Sequence, residues 1–119
     1  MIETEKEKRT LKYHLKLRVY YEERNFGPGV ADLMKLVRER GSLSAACQEL
    51  HMAYSKAWKI MNKAEEDLGF SLMEGRRGGE NGGTTVLTAE GETFLDRYLA
   101  FVEEAEAAVE ELFYKYFPG

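Results

Sequence analysis

The hydrophobic pattern of the chain changes its period after about residue 27. From Leu11 to Tyr21 apolar and polar residues alternate, as in a half-buried strand. A charged stretch precedes this segment, and a polar turn, Glu-Glu-Arg-Asn, follows it. The pattern therefore predicts an N-terminal strand or hairpin over residues 10–27, with residues 1–9 flexible.

Apolar residues at helical spacing follow, and glycines mark where the helices should end. Pro28 is placed to begin a helix, since the first helical turn does not need its missing N–H. Gly41 is placed to end that helix in a left-handed conformation. Ser42 or Ser44 is then predicted to cap the next helix, Ala45–Leu50.

A further helix over residues 54–68 completes a helix-turn-helix pattern, and small residues in the preceding helix allow close packing. At about 100° per residue, Ala57, Met61, Ala64 and Leu68 form an apolar stripe opposite a cationic face. Such a face is typical of a recognition helix that enters the DNA major groove. The residues predicted to contact DNA from this region are Ser44, Tyr54, Ser55, Lys56, Lys59, Asn62 and Lys63.

Three residues at the turn leave alternatives open. His51 stands where glycine is usual, so it is predicted to adopt a positive φ with some strain, and a phosphate contact is the alternative. Tyr54 and Trp58 flank the apolar stripe and are predicted to pack between the helices. A contact that positions the DNA backbone is the alternative for both aromatic residues.

A glycine-rich loop over residues 75–83 lies between two short β-like segments and is predicted to form a wing. Arg76 and Arg77 in this loop are predicted to reach phosphates or the minor groove. The alternative is that clustered glycine N–H groups bind a small oxyanion. No Lys-Ser or Lys-Thr pair follows the glycines, so the loop does not match a nucleotide-binding phosphate loop.

The last helix is predicted over residues 88–117, with Thr88 as its N-cap. Its apolar residues spread over about half the circumference, more than the roughly 100° that one packing partner needs. We therefore predict a dimerisation helix; a helix folded entirely onto its own core is the alternative. The predicted dimerisation residues are Phe94, Leu95, Tyr98, Leu99, Phe101, Val102, Val109, Leu112 and Phe113.

Composition fits a single cytoplasmic domain of 119 residues that is 44% hydrophobic. The net charge of −4 weighs against strong non-specific DNA binding, although the acidic residues concentrate in the last helix. No signal peptide or membrane span is predicted. The one cysteine, Cys47, is predicted to pack in the core. No spacing typical of a metal site, cofactor site or catalytic nucleophile appears, so an enzyme is not predicted.

These motifs resemble the N-terminal DNA-binding domain of the molybdate-responsive ModE regulators and, more distantly, that of LysR-type regulators. The similar segments span about residues 26–95, and the run from Tyr54 to Trp58 and the wing before Leu87-Thr88 are the more specific parts. The resemblance implies a winged helix that dimerises through its last helix and binds a two-fold symmetric operator. The resemblance does not extend to the family's oxyanion-binding domains, so molybdate sensing is not carried over to this chain. Whether a separate sensor protein is a partner is left open.

The sequence thus predicts a mainly α fold with a small β component: a winged helix-turn-helix (residues 28–87) with an N-terminal strand and a long C-terminal dimerisation helix. The predicted function is a sequence-specific transcriptional regulator that binds double-stranded DNA as a homodimer. The alternatives are a protein–protein interaction module of the same fold and an oxyanion-binding protein that uses the wing.

Overall fold

The computed structural model describes residues 9–76 and 84–119. Within these residues the chain forms four helices and a two-stranded antiparallel sheet in which Met73 pairs with Leu87 and Arg76 with Thr84. This is the predicted winged helix-turn-helix. The elements are α1 (Pro28–Arg40), α2 (Leu43–Leu50), α3 (Tyr54–Leu68), β1 (Met73–Arg76), β2 (Thr84–Leu87) and α4 (Ala89–Tyr116).

The predicted helix ends are confirmed where glycine or a capping hydroxyl marks them. Gly41 and Gly69 have φ of 77° and 84°, and each closes its helix in the left-handed conformation. Thr88 caps α4 through its side chain, which accepts a hydrogen bond from the Gly91 N–H. Between the two candidate caps of α2, the structure selects Ser42, so this helix begins at Leu43 rather than Ala45.

The predicted N-terminal strand is wrong. Residues 9–18 are extended but form no β-ladder within the described chain, and a single antiparallel bridge joins Val19 to Phe26. The Tyr98 hydroxyl donates a hydrogen bond to the Leu17 carbonyl (2.8 Å), and the Tyr13 and Phe113 ring centroids lie 4.8 Å apart. The segment therefore contacts α4 at Tyr13 and Leu17, so a helix takes the place of the neighbouring strand that the period-two pattern predicted.

The core lies where the helices meet the base of the sheet. Phe26 is fully buried, with its ring centroid 4.7 Å from that of Phe94 and 5.1 Å from that of Tyr98. Cys47 is buried on α2, as predicted, and burial raises the pKa of its thiol. The largest fully buried side chains are Phe26, Leu33, Met34, Val37, Leu43, Met61, Leu72 and Leu95.

Candidate DNA-binding surface

The turn between α2 and α3 fixes the direction in which α3 leaves the core. His51 adopts φ 52° and ψ 44°, which confirms the predicted positive φ, and its N–H donates to the Cys47 and Gln48 carbonyls. The Met52 N–H donates to the Cys47 carbonyl at 2.9 Å. This is the hydrogen-bond pattern of a Schellman ending, which usually places glycine where His51 stands.

Helix α3 has one buried face and one exposed face, as its sequence pattern predicts. Ala57, Met61 and Ala64 are fully buried and Leu68 is 9% exposed, so this stripe holds α3 against the core. The opposite face is open to solvent over two turns. Its exposed residues are Ser55, Lys56, Lys59, Asn62 and Lys63, and Ser44 is also exposed on α2.

The cations of the exposed face are available to an outside partner. Among the described residues the ion pairs are Arg38–Asp96 and Arg40–Glu49, so the lysines of α3 take part in none. Phosphate contacts from lysine supply the sequence-independent part of DNA affinity, while polar side chains in the groove select bases. This surface therefore has the donors that DNA recognition needs.

The two aromatic residues of α3 do not share one environment. Trp58 is half-buried against the core, which agrees with its predicted packing role. Tyr54 is 50% exposed and meets the Trp58 ring edge-on, with centroids 6.2 Å apart. The prediction that Tyr54 packs between the helices is therefore wrong, because its position at the first turn of α3 extends past the edge of the core. Half of its surface is left accessible.

The wing is tied to the body by Glu65, which the sequence pattern did not single out, and by Thr88, which it predicted as a helix cap alone. The Glu65 carboxylate accepts hydrogen bonds from the Leu72 and Met73 N–H groups at 2.6 and 3.3 Å. The Thr88 hydroxyl donates to the Ser71 carbonyl at 2.6 Å. These bonds position the two strands that lead to the wing tip. The tip itself, residues 77–83 with Arg77, lies outside the described residues, as does the Arg76 side chain.

Asp67, the penultimate residue of α3, holds the turn that precedes α1. Its carboxylate accepts backbone N–H bonds from Tyr21, Glu22 and Glu23 at 3.0 to 3.1 Å. The N–H groups of Glu23 and Glu22, opposed by partial desolvation, lower the pKa of Asp67. No local sequence signal distinguishes Asp67 within the acidic run 65–67, because its donors lie more than 40 residues earlier.

The predicted dimerisation residues of α4 divide by burial. Leu95 and Tyr98 lie in the core of the protomer at 0% and 5% exposure, where a second copy cannot reach them. Phe101 and Leu112 are exposed at 49% and 52%. The others are half-buried: Phe94, Leu99, Val102, Val109 and Phe113.

Two properties of the described residues concern metal binding and membrane insertion. Residues 9–76 and 84–119 contain no group of three or more His, Cys, Asp or Glu that could hold a metal ion. Over the same ranges no helix has the length and apolar content needed to cross a bilayer.

Comparison with known proteins places the same region in a regulatory family. Residues 32–92 match the family described as bacterial regulatory helix-turn-helix protein, lysR family. A curated relative, the transcriptional regulator ModE of Haemophilus influenzae, is 32% identical over 66 residues, which cover 56% of this chain and 26% of the relative. The chain thus spans about a quarter of the length of this relative.

Solved structures of one regulator, CbnR, are similar to the model. The crystal structure of a CbnR_DBD–DNA complex has a TM-score of 0.55 and 28% sequence identity, covering 70% of this chain and 90% of that one. Full-length CbnR complexed with its target DNA has a TM-score of 0.56 and 27% identity, covering 72% of this chain and 28% of that one. The likeness covers the greater part of this chain and most of the CbnR_DBD chain.

Proposed function

Because the chain belongs to the LysR family of bacterial regulatory helix-turn-helix proteins, we propose that it is a transcriptional regulator that binds duplex DNA as a homodimer. The observation that carries the proposal is the exposed face of α3, whose lysines take part in no ion pair of the described chain.

In the proposed complex α3 lies in the major groove. Ser55, Lys56 and Lys59, in the N-terminal half of the exposed face, contact base edges and the nearest phosphates, as recognition helices do through their first turns. Asn62 and Lys63 lie one turn further on and contact the flank of the groove. Ser44, Tyr54, Arg76 and Arg77 are proposed to contact the DNA backbone, with the two arginines acting from the wing.

Two points support the homodimer: one recognition helix reads too few bases, and α4 exposes apolar side chains. A single helix reads only a few bases, whereas a two-fold dimer reads two half-sites about one helical turn apart. Phe101 and Leu112 expose about half of their surface on α4. Pairing of α4 helices would cover them and hold the acidic residues of that helix away from DNA.

Fluorescence anisotropy with labelled genomic fragments, at stated salt concentrations, tests the proposal. Lys59→Ala is expected to weaken binding to the preferred fragment about tenfold, since one groove contact contributes roughly 1–3 kcal/mol. Lys12→Ala, which removes an equally exposed lysine from the N-terminal segment, is the matched control and should leave affinity unchanged. The proposal fails if no fragment binds more tightly than random DNA and Lys59→Ala changes nothing.

A further inference from the structure

The extended N-terminal segment has a backbone edge that no strand covers. Its hairpin consists of a single bridge, in which the Val19 N–H donates to the Phe26 carbonyl at 2.9 Å. Continued antiparallel pairing would place Leu17 opposite Pro28. The chain enters α1 at Pro28 instead, so the pairing stops. Over residues 12–16 no backbone N–H or carbonyl group forms a hydrogen bond within the described chain, and the segment is therefore an edge strand without a neighbour.

A groove of about 530 Å³ takes the place of the missing strand, between the segment, α1 and α4. Four consecutive residues of the segment, 14–17, form one wall. Since successive side chains of an extended chain point to opposite faces, such a run lines a groove only where the backbone edge faces it. The other walls are formed by α1 and by α4, where Leu99 and Val102 supply apolar surface. The volume lies in the range of ligand-binding pockets.

We infer that an extended acidic segment of a partner protein adds to residues 12–18 as a neighbouring strand and fills this groove. In strand addition of this kind, main-chain hydrogen bonds supply affinity, and side chains at alternate positions supply specificity. The inference involves none of the residues proposed to contact DNA, and it does not depend on DNA binding.

The charge on the outer face of the segment identifies the partner strand as acidic. The basic side chains at alternate positions are all exposed, and residues 9–21 contain no Asp or Glu; they are Lys12, His14, Lys16 and Arg18. None of them is in an ion pair of the described chain, and the Arg18 guanidinium donates to a backbone carbonyl at 3.3 Å. Opposed side chains on neighbouring strands lie about 5 Å apart, so a carboxylate at every second position of the added strand meets a basic side chain.

The inner face of the groove selects apolar residues at the positions in between. Leu15 and Leu17 are half-buried on this face, beside the apolar surface of α4. Of the charged residues that α1 and α4 contribute to the lining, Asp32 and Glu106 are acidic and Lys35 is basic. A carboxylate turned inward therefore meets an excess of like charge, which disfavours it. A strand that matches both faces alternates acidic and apolar residues.

The edge is held in place before a partner binds. The Tyr98 hydroxyl donates to the Leu17 carbonyl at 2.8 Å. At the other end of the segment the Asp67 carboxylate accepts three N–H groups of the turn 21–23. A preorganised site avoids part of the cost of ordering on binding, so a short peptide is expected to bind without the rest of its parent protein.

Fluorescence polarisation with labelled synthetic peptides tests the inference on the full chain. A short peptide of alternating glutamate and leucine is expected to bind saturably. A peptide of the same composition, with its glutamates grouped at one end, should bind at least about tenfold more weakly. Lys16→Glu places like charges on neighbouring strands and should raise the dissociation constant of the alternating peptide about tenfold. Arg97→Glu, an equal charge change at an exposed position of α4 outside the groove, is the matched control and should leave this constant unchanged.

Backbone methylation of the peptide separates strand addition from attraction between charges alone. In an edge strand only alternate N–H groups point to the neighbouring strand. One peptide series carries methyl groups on the nitrogens of all glutamates, and the other carries them on the nitrogens of all leucines. Binding should be abolished in one series and stay within about threefold of the parent peptide in the other.

Each of four results overturns the inference. They are absence of saturable binding by the alternating peptide, equal affinity for the grouped peptide, affinity that Lys16→Glu leaves unchanged, and parent-like binding by both methylated series. DNA affinity is scored separately by the anisotropy titration, where Lys16→Glu should match Arg97→Glu. Since both substituted side chains are exposed, circular dichroism should show unchanged helicity in both variants.

Discussion

The two halves of α4 have similar sequence patterns and different surroundings. In the first half Gly91, Leu95 and Tyr98 are buried against the body. The second half is as rich in apolar residues, yet all of its residues are half-buried or exposed, and Leu112 and Tyr114 show 52% and 59% of their surface. The apolar pattern of an amphipathic helix thus shows which face will be buried. It does not show which part of the protein will bury that face, and in α4 this differs between the two halves.

The first half of α4 packs closely against the rest of the protomer. The Gly91 position touches the chain between α3 and β1 so closely that a Cβ there would lie 2.2 Å from the Leu72 carbonyl oxygen. The N-terminal segment lies beside the second half, where the Tyr13 and Phe113 rings meet. One half is therefore part of the protomer's core, and the other is a surface that we propose a second copy covers.

Truncating one leucine in each half gives the largest expected contrast. Leu95→Ala removes a fully buried side chain and should lower the free energy of unfolding by about 3 kcal/mol. Leu112→Ala removes a half-exposed one and should cost less than about 1 kcal/mol in dilute protein, where association does not contribute. Urea unfolding followed by circular dichroism measures both. Equal decreases in the free energy of unfolding would show that the two halves of α4 do not differ in burial.

Adding one methyl group at Gly91 tests the close approach itself. Gly91→Ala forces the helix away from the Leu72 carbonyl and should destabilise the protomer by about 2 kcal/mol. Gly29→Ala is the matched control, because a Cβ at that position in α1 meets nothing within 4 Å. This control should stay within about 1 kcal/mol of wild type. A Gly91 variant as stable as the Gly29 variant would contradict the packing at this point.

The smallest expected effect concerns pH and the Asp67 hydrogen bonds. Since three backbone N–H groups favour the ionised carboxylate, the pKa of Asp67 is lower in the folded chain than in the unfolded one. Its stabilising contribution is therefore present above the unfolded pKa and is lost as pH falls through the folded pKa. Asp67→Asn should flatten this part of the acid unfolding curve, whereas Glu66→Gln, at an exposed neighbour, should not. Identical acid unfolding curves for wild type and Asp67→Asn would show that the Asp67 hydrogen bonds do not stabilise the fold.

Local sequence signals predicted much of the fold because the physics behind them is local. Gly41, Gly69 and Thr88 mark helix ends through backbone conformation and capping, which depend on a few neighbouring residues. The apolar stripe of α3 likewise follows from helical periodicity. The same reasoning failed for the N-terminal segment. Alternation of apolar and polar residues indicates that one face of an extended chain is covered, but it does not show whether a strand or a helix covers that face.

By itself, therefore, the sequence determined the element order from α1 to α4, the helix ends at Gly41, Gly69 and Thr88, the exposed cationic face of α3 and the left-handed turn at His51. Only the tertiary structure decided that Asp67 and Glu65 bind backbone N–H groups, that Tyr54 stays exposed, and that α4 has no buried residue beyond Tyr98. The physical reason is distance along the chain. Caps and periodicities act within a few residues, whereas these contacts join segments that folding alone brings together.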